Sequence, residues 1–525
     1  MASTPYTPMK DSRYPRQLLI GLDAMELDLV QRWVAAGKMP TFRRLMEEGC
    51  WAQLSSVADR LPDTVWNCVC SGLNPAHFPR YFYVQHDPRT GGLRYMSDES
   101  FATDYLWDHL SDGGLRVGVV DVPHVAAGLR LNGFQIAGWG THAAHSPRAS
   151  IPRSLLPEVE KMFGRHPVGE CDAAGSTPAA RQALRERVLA GVKAHGELFR
   201  HCITERLCQV LITVFAAPHC AGHLYWHYMD RSHPWHDPED RHQLASTIEE
   251  VYRAIDREIG MMIEAAGPDT LVYVFSPDGM GPLYHASWNL PEILDNLGYA
   301  SQHSNPLRSG EKTRKADVNF WRILRMAVPG KLQYAIHAAL PRQLRNQLLF
   351  RLYGGTPSSN KCRAFAVPNN EIVGAIRINL KGRDLKGVVE PGPEYEHLCD
   401  EICHALAELK DPVSGRTVVK SISRPQQELH GPYLHLLPDI TVLWEQSFPW
   451  QSVYSPALGT IQLRVQDSRT GSHTSHAFLL ARGPGVRKQT ILAGASIFDI
   501  VPSVLRAAGV RTPAPCEGQP RFVWQ

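Results

Sequence analysis

The chain of 525 residues is long enough for one large α/β domain with insertions or for two to three smaller domains, and its 43% hydrophobic content supports a substantial core. Its 55 Lys plus Arg against 52 Asp plus Glu leave a net charge of +3, too small to mark a binder of nucleic-acid polymers on electrostatics. The eleven cysteines are scattered without a CxxC pair, which argues against a disulfide framework or a four-cysteine zinc site and for reduced thiols in a cytoplasmic protein.

The N-terminal MASTPYTPMKDSRYPRQ has no apolar core of signal-peptide type. The longest apolar runs are too short for a transmembrane segment, so a soluble protein is expected. The first element is the apolar run Gln17–Leu22, which reads as a strand ending at Asp23. Helices are predicted over 27–36 and 41–48, the second stopping at Gly49. Buried strands follow at 116–122, 209–215 and 270–275, separated by long helical patterns over 180–202 and 243–265. Strands alternating with helices predict an α/β fold, a mostly parallel sheet covered on both faces.

The stretch 301–359 is different. It is basic, with Lys312, Arg314, Lys315, Arg322, Arg325, Lys331, Arg342, Arg345 and Arg351, and it carries amphipathic helical patterns. It reads as an inserted cap or as a solvated helical excursion. After it come apolar runs at 372–378, 439–444 and 477–481 and a closing helix over 496–508. The expected organisation is a discontinuous core, 15–300 and 364–525, with a basic helical cap at 301–363.

Four constellations could carry chemistry. Asp23 stands at the end of the first strand, where a carboxylate can bind a cation or simply cap a helix. In LPDTVWNCVCSGLNP, Thr64 sits where a helix could begin and Asn67 lies about one turn on. Backbone N–H groups and the dipole favour anions there, although read from local sequence alone Thr64 is more often an ordinary N-cap. In HCAGHLYWHYMD, His219, His223 and His227 are spaced by four, and imidazoles one turn apart can share a zinc ion. In GSHTSHAFLLARGPGV, His473 or His476 could complete a three-nitrogen site with an open position for substrate. A further strand end, FSPDGMGP, offers Pro277 and Asp278 at the edge where α/β proteins hold ligands.

The order of these motifs resembles the alkaline phosphatase superfamily, in particular its type I phosphodiesterase/nucleotide pyrophosphatase branch. GKMPTFRRLMEEGCWAQL, SGLNPAHF, HLYWHYMDRSHP and SIFDIVPSVLRAAGVRTPAPCEGQP resemble segments of that group. The resemblance covers about 17–298 and 431–520. It implies an αβα sandwich around a mostly parallel mixed sheet and two bound metal ions. Carried over residue by residue, zinc would take His219, His223 and His473, with His219 where the family has Asp. A second divalent ion (Zn, Mn or Mg) would take Asp23, Thr64 and Asp278. The family has an Asp-His pair where this chain has Pro277-Asp278, so one ligand is lost and another changed to a carboxylate.

The resemblance further implies a metal-dependent hydrolase of small anionic phosphate esters, a phosphodiesterase or phosphatase, with Thr64 as nucleophile and Asn67 holding a phosphoryl oxygen. An ungapped count back from Gly72 puts Pro62 at the nucleophile position instead. Two other functions stay open: a pseudoenzyme that binds an anionic ligand or protein partner without turnover, and a hydrolase of sulfate or phosphonate esters. The chain lacks the Cys-x-Pro-x-Arg segment of the formylglycine sulfatases, which lowers the sulfate option.

Overall fold

The computed structural model describes residues 14–96, 103–125, 128, 130–140, 148–169, 171, 177–300, 362–463 and 468–522. The expected cap at 301–363 lies outside the described residues, apart from its last two positions. No described helix is long and apolar enough to cross a membrane.

A ten-stranded sheet forms the body. Along its main path it runs from Thr490–Ile491 through Cys50–Ser55, Ala477–Arg482, Leu271–Ser276, Gln17–Leu22, Val210–Phe215, Val117–Val120 and Gly133–Ala137 to Ala149–Ile151. Gln17–Leu22 is central and pairs in parallel with both Val210–Phe215 and Leu271–Ser276. Ala477–Arg482 is antiparallel to its two neighbours, so the sheet is mixed but mostly parallel at its centre.

The side chains of the central strands alternate between two cores. Leu18, Ile20, Leu211, Phe215, Val272 and Val274 face one of them, together with the helices Leu27–Ala35, Pro178–Glu205, Ala217–Met229 and Thr247–Ala266. Leu19, Val210, Ile212, Leu271, Tyr273 and Phe275 face the other, with Val65–Ser71 and Ile500–Ala507. Burial on both faces is why these strands read as continuous apolar runs in the sequence rather than as alternating ones. Each buried aliphatic side chain contributes about 1.5–3 kcal/mol relative to exposure. The result is the αβα sandwich.

The helix starts follow local chemistry. Thr177 accepts a hydrogen bond from the Ala180 N–H ahead of a helix with proline in its first turn. Ser496 and Asp499 form a capping box before the closing helix, which begins as the short 3₁₀ turn Ile497–Asp499 and continues as Ile500–Ala507.

The strands after position 363 do not rejoin the main sheet at once. Ala364–Val367, Val373–Ile378, Ile440–Trp444 and Val419–Ser423 build a separate antiparallel sheet in that order. It has its own core, in which Ile376, Ile378, Val442 and Trp444 meet Leu398 and Ile402 of the helix Pro393–Ala407. A buried ionic network underlies it: Arg377 Nε meets Asp384 Oδ1 at 2.7 Å, and Arg383 bridges Asp384 and Asp439.

Beside the main sheet, Gly279–Pro282 and Gly471–Thr474 pair as a two-stranded antiparallel ribbon, with Met280 opposite His473. This ribbon carries the third histidine of the candidate site.

Candidate metal centre

The helix Ala217–Met229 leaves the strand Val210–Phe215 after one residue and has Pro218 in its first turn. It packs backbone against backbone on the ribbon. A Cβ at Gly471 would lie 2.3 Å from the Gly222 carbonyl oxygen, and one at Gly222 would lie 2.5 Å from Met280 Cγ. Thr470 N–H donates to the His223 carbonyl at 2.7 Å. Glycine at both contact points therefore lets the helix approach closely enough for His219 and His223 to face His473.

The ligand atoms of His219, His223 and His473 lie within 4.8 Å of one another, and all three residues are buried. His223 Nδ1 is 2.6 Å from the Gly471 carbonyl oxygen, which can only accept. That nitrogen is therefore protonated, and Nε2 is left with its lone pair. His473 Nδ1 is 2.6 Å from Asp278 Oδ2, which fixes its outer nitrogen in the same way. His219 Nε2 and His223 Nε2 are 3.1 Å apart. Two nitrogens bound to one tetrahedral zinc at about 2.0–2.1 Å lie roughly 3.3 Å apart. The three nitrogen donors, the spacing of His219 and His223, and the tautomers set at His223 and His473 fit a divalent cation.

His227 lies outside this group. It donates or accepts at Thr470 Oγ1 through Nδ1 at 2.9 Å. Eight residues along a helix amount to about 80° of net rotation from His219, enough to carry its ring off the shared face. His476 also goes elsewhere, with Nδ1 2.7 Å from Glu26 Oε1.

Asp23 follows the central strand, and its Oδ1 accepts from Trp66 Nε1 at 2.8 Å. The indole presses against Gly21, where a Cβ would meet Trp66 Cη2 at 2.7 Å. Burial, and then the neighbouring charge of Asp278, push the Asp23 carboxyl up to about 6. The next residue, Ala24, has φ +54, left-handed backbone that an alanine adopts only under constraint. Its N–H donates to Asp278 Oδ1 at 3.2 Å.

Thr64 ends the 3₁₀ turn Pro62–Thr64 and precedes the helix Val65–Ser71 without capping it through its side chain. Its hydroxyl donates to the Leu61 carbonyl at 2.7 Å, and the residue is 1% exposed. Asn67 Nδ2 donates to Tyr105 Oη at 3.1 Å and to the His124 carbonyl at 2.7 Å. The three histidines, with Asp278 behind them, are thus brought together. The hydrogen bonds of Thr64 and Asn67 described for these residues lead into the neighbouring turns.

Sequence reasoning missed Glu26. Its Oε2 accepts from Met280 N–H at 2.9 Å and Thr474 Oγ1 at 2.8 Å, so one carboxylate ties the first strand-to-helix turn to both strands of the ribbon. The available signal was an acid three residues after Asp23, just before a helix. It also missed Arg80, 2% exposed, whose guanidinium lies 3.1 Å from Asp63 Oδ2 and 3.2 Å from His124 Nδ1. No local pattern marks that arginine.

A family model described as type I phosphodiesterase/nucleotide pyrophosphatase matches residues 17–448. No curated protein matches in sequence. Among solved structures, the chain is similar to human ectonucleotide pyrophosphatase/phosphodiesterase 5 at 12% identity and a TM-score of 0.48, covering 96% of this chain and 97% of that one. It is also similar to the phosphonoacetate hydrolase of Sinorhizobium meliloti 1021 in complex with phosphonoformate, at 14% identity and a TM-score of 0.48, covering 97% of this chain and 100% of that one.

Proposed function

The chain belongs to the type I phosphodiesterase/nucleotide pyrophosphatase family, and from that membership we propose that it is a metal-dependent hydrolase of small anionic phosphate esters acting in the cytoplasm. The observation that carries the reading is the convergence of His219, His223 and His473 on one point. A divalent cation held there supplies Lewis-acid polarisation of a phosphoryl oxygen. Three neutral imidazoles are a donor set that suits zinc.

The chain's own residues have separate tasks in this proposal. His223 and His473 are kept with Nε2 lone pairs inward by the Gly471 carbonyl and by Asp278. Thr64 is the candidate nucleophile, and its hydroxyl donates to the Leu61 carbonyl. Asn67 would hold a phosphoryl oxygen on leaving one of its two present acceptors. The division into a core of 15–300 and 364–525 with a cap at 301–363 belongs to the same proposal, the cap's basic residues suiting an anionic leaving group.

Purified protein is tested on aryl phosphodiester, phosphate monoester, phosphonate ester and sulfate ester substrates, before and after cation stripping. Thr64→Ala is expected to lower the rate on the preferred substrate by about three orders of magnitude, with Thr64→Ser retaining part of it. Full activity in Thr64→Ala would remove it as nucleophile. The enclosed Thr64 hydroxyl and Pro277 favour one second reading, a binder of anionic ligands without turnover. Hydrolysis that depends on cation would exclude it.

A further inference from the structure

Asp278 is completely buried, and each of its oxygens faces a donor of the protein. Oδ1 accepts from the Ala24 N–H at 3.2 Å, and Oδ2 lies 2.6 Å from His473 Nδ1. A carboxylate in this place behind a ligating imidazole sets the tautomer, fixes the ring plane and raises the basicity of the outer nitrogen. The other two groups expected around a second ion are also engaged. Asp23 Oδ1 takes the Trp66 indole N–H, which the missing side chain of Gly21 lets in. The Thr64 hydroxyl donates to the Leu61 carbonyl. Pro277 offers no side-chain ligand, and its carbonyl oxygen accepts from Ser56 Oγ at 2.6 Å.

We infer that Asp278 is a positioning residue rather than a ligand: it orients His473 so that the three histidines take a single divalent cation, and no second cation site is built from Asp23, Thr64 and Asp278. This rests on the metal-dependent reading above and specifies its stoichiometry. Both Asp278 oxygens are turned to Ala24 N–H and His473 Nδ1 and Pro277 offers no side chain, so a second cation would be left with the Asp23 carboxylate and the Thr64 hydroxyl oxygen, too few side-chain ligands for a built site.

The substitution Asp278→Asn separates orientation from ligation. An amide presents an oxygen to one partner and an NH2 group to the other. With the oxygen kept for the Ala24 N–H, the NH2 group faces His473 Nδ1, which must then accept. The imidazole proton moves to Nε2 and blocks the position that ligates. With the amide reversed, the NH2 group opposes the Ala24 N–H.

The experiment titrates cation-free protein with Co²⁺ and Zn²⁺, following the visible cobalt spectrum and bound metal per chain, for the parent, Asp278→Asn, Asp23→Asn and His219→Ala. The parent and Asp23→Asn are expected to take one equivalent. Asp278→Asn is expected to take one equivalent about 10- to 100-fold more weakly, with an altered cobalt spectrum, and His219→Ala to lose the site. Melting of each cation-free protein identifies a variant that fails to fold, in which case the stoichiometry of the parent and of Asp23→Asn decides. Two equivalents in the parent, reduced to one in Asp23→Asn or Asp278→Asn, would overturn the inference and leave metal dependence standing. Parent-like affinity in Asp278→Asn would also overturn it. No cation bound by the parent would bring down the metal-dependent reading itself.

Discussion

Gly471 touches Gly222 across the seam between the ribbon and the histidine helix, with no room for a methyl group: a Cβ would stand 2.3 Å from the Gly222 oxygen. The contact sets the distance between the pair His219/His223 and His473. Gly471→Ala is therefore expected to cost about 1–3 kcal/mol in urea unfolding, the usual range for overpacking, and to weaken cation binding as well. Gly92→Ala is the control. The nearest atom to its new Cβ is Thr90 Oγ1 at 3.7 Å, and its stability should change by less than about 0.5 kcal/mol. Equal effects from the two substitutions would dispose of the seam as the determinant.

Cation occupancy should register as stability. A ligand that binds only the folded state at 100 times its Kd adds about 2.7 kcal/mol. Treatment with a chelator should lower the Tm and Zn²⁺ should restore it. In His219→Ala the Tm should not respond to either. A Tm in the parent that ignores both treatments would contradict the site.

Buried histidines outside the centre contribute to the acid limb of stability. Burial holds His195 down to about 3 and His166, His227 and His285 down to about 4 from an ordinary 6.5. Each is neutral in the fold and protonates more readily when unfolded. Their contribution is complete above pH 6.5 and is lost as the pH falls towards 4. Asp121, pushed up to about 7 by burial, acts in the opposite sense, since its contribution fades as the pH rises from about 4 to 7. His195→Gln removes one of the four histidines and can keep the hydrogen bond to Thr213 Oγ1. Its plot of Tm against pH should be shallower between pH 6.5 and 4 than the parent's. An unchanged slope would show that His195 titrates normally.

The second sheet can be loosened without touching the centre. Asp384 sits between Arg377 and Arg383 and is 8% exposed. Asp384→Ala strands buried guanidinium charge, which typically costs about 3–5 kcal/mol. Urea unfolding should show that loss, while the Co²⁺ titration of the folded protein stays as in the parent. A neutral effect on unfolding would mean that the arginines find other partners.

The central strands and their helices were legible because burial on both faces leaves unbroken apolar runs, as in Leu271–Ser276, and because caps such as Thr177 and Ser496 are local signals. His219 and His223 were legible for the same reason: four residues on a helix is a local relation. The attachment of Asp278 to His473 was not, because it joins positions 195 residues apart through a ribbon that the sequence does not announce. Its place at a strand end, and the family resemblance, pointed to Asp278 as a candidate but could not say which way its carboxylate turns. The strands Val373–Ile378 and Ile440–Trp444 were readable as strands. Their membership of a separate sheet was not, since apolar runs do not specify which partner they pair with. Thr64 was placed correctly just ahead of a helix, yet the destination of its hydroxyl depends on the turn that precedes it.

The hydrogen bond between His223 and the Gly471 carbonyl closes a loop of 248 residues. Contacts of such separation form late, after the chain has lost most of its freedom. The three imidazoles are therefore expected to meet only once the last strands have docked, which would make the cobalt spectrum a clock for refolding. Its appearance should lag behind helix formation and coincide with the final recovery of native fluorescence, making the site a marker of the finished molecule rather than a seed for its assembly.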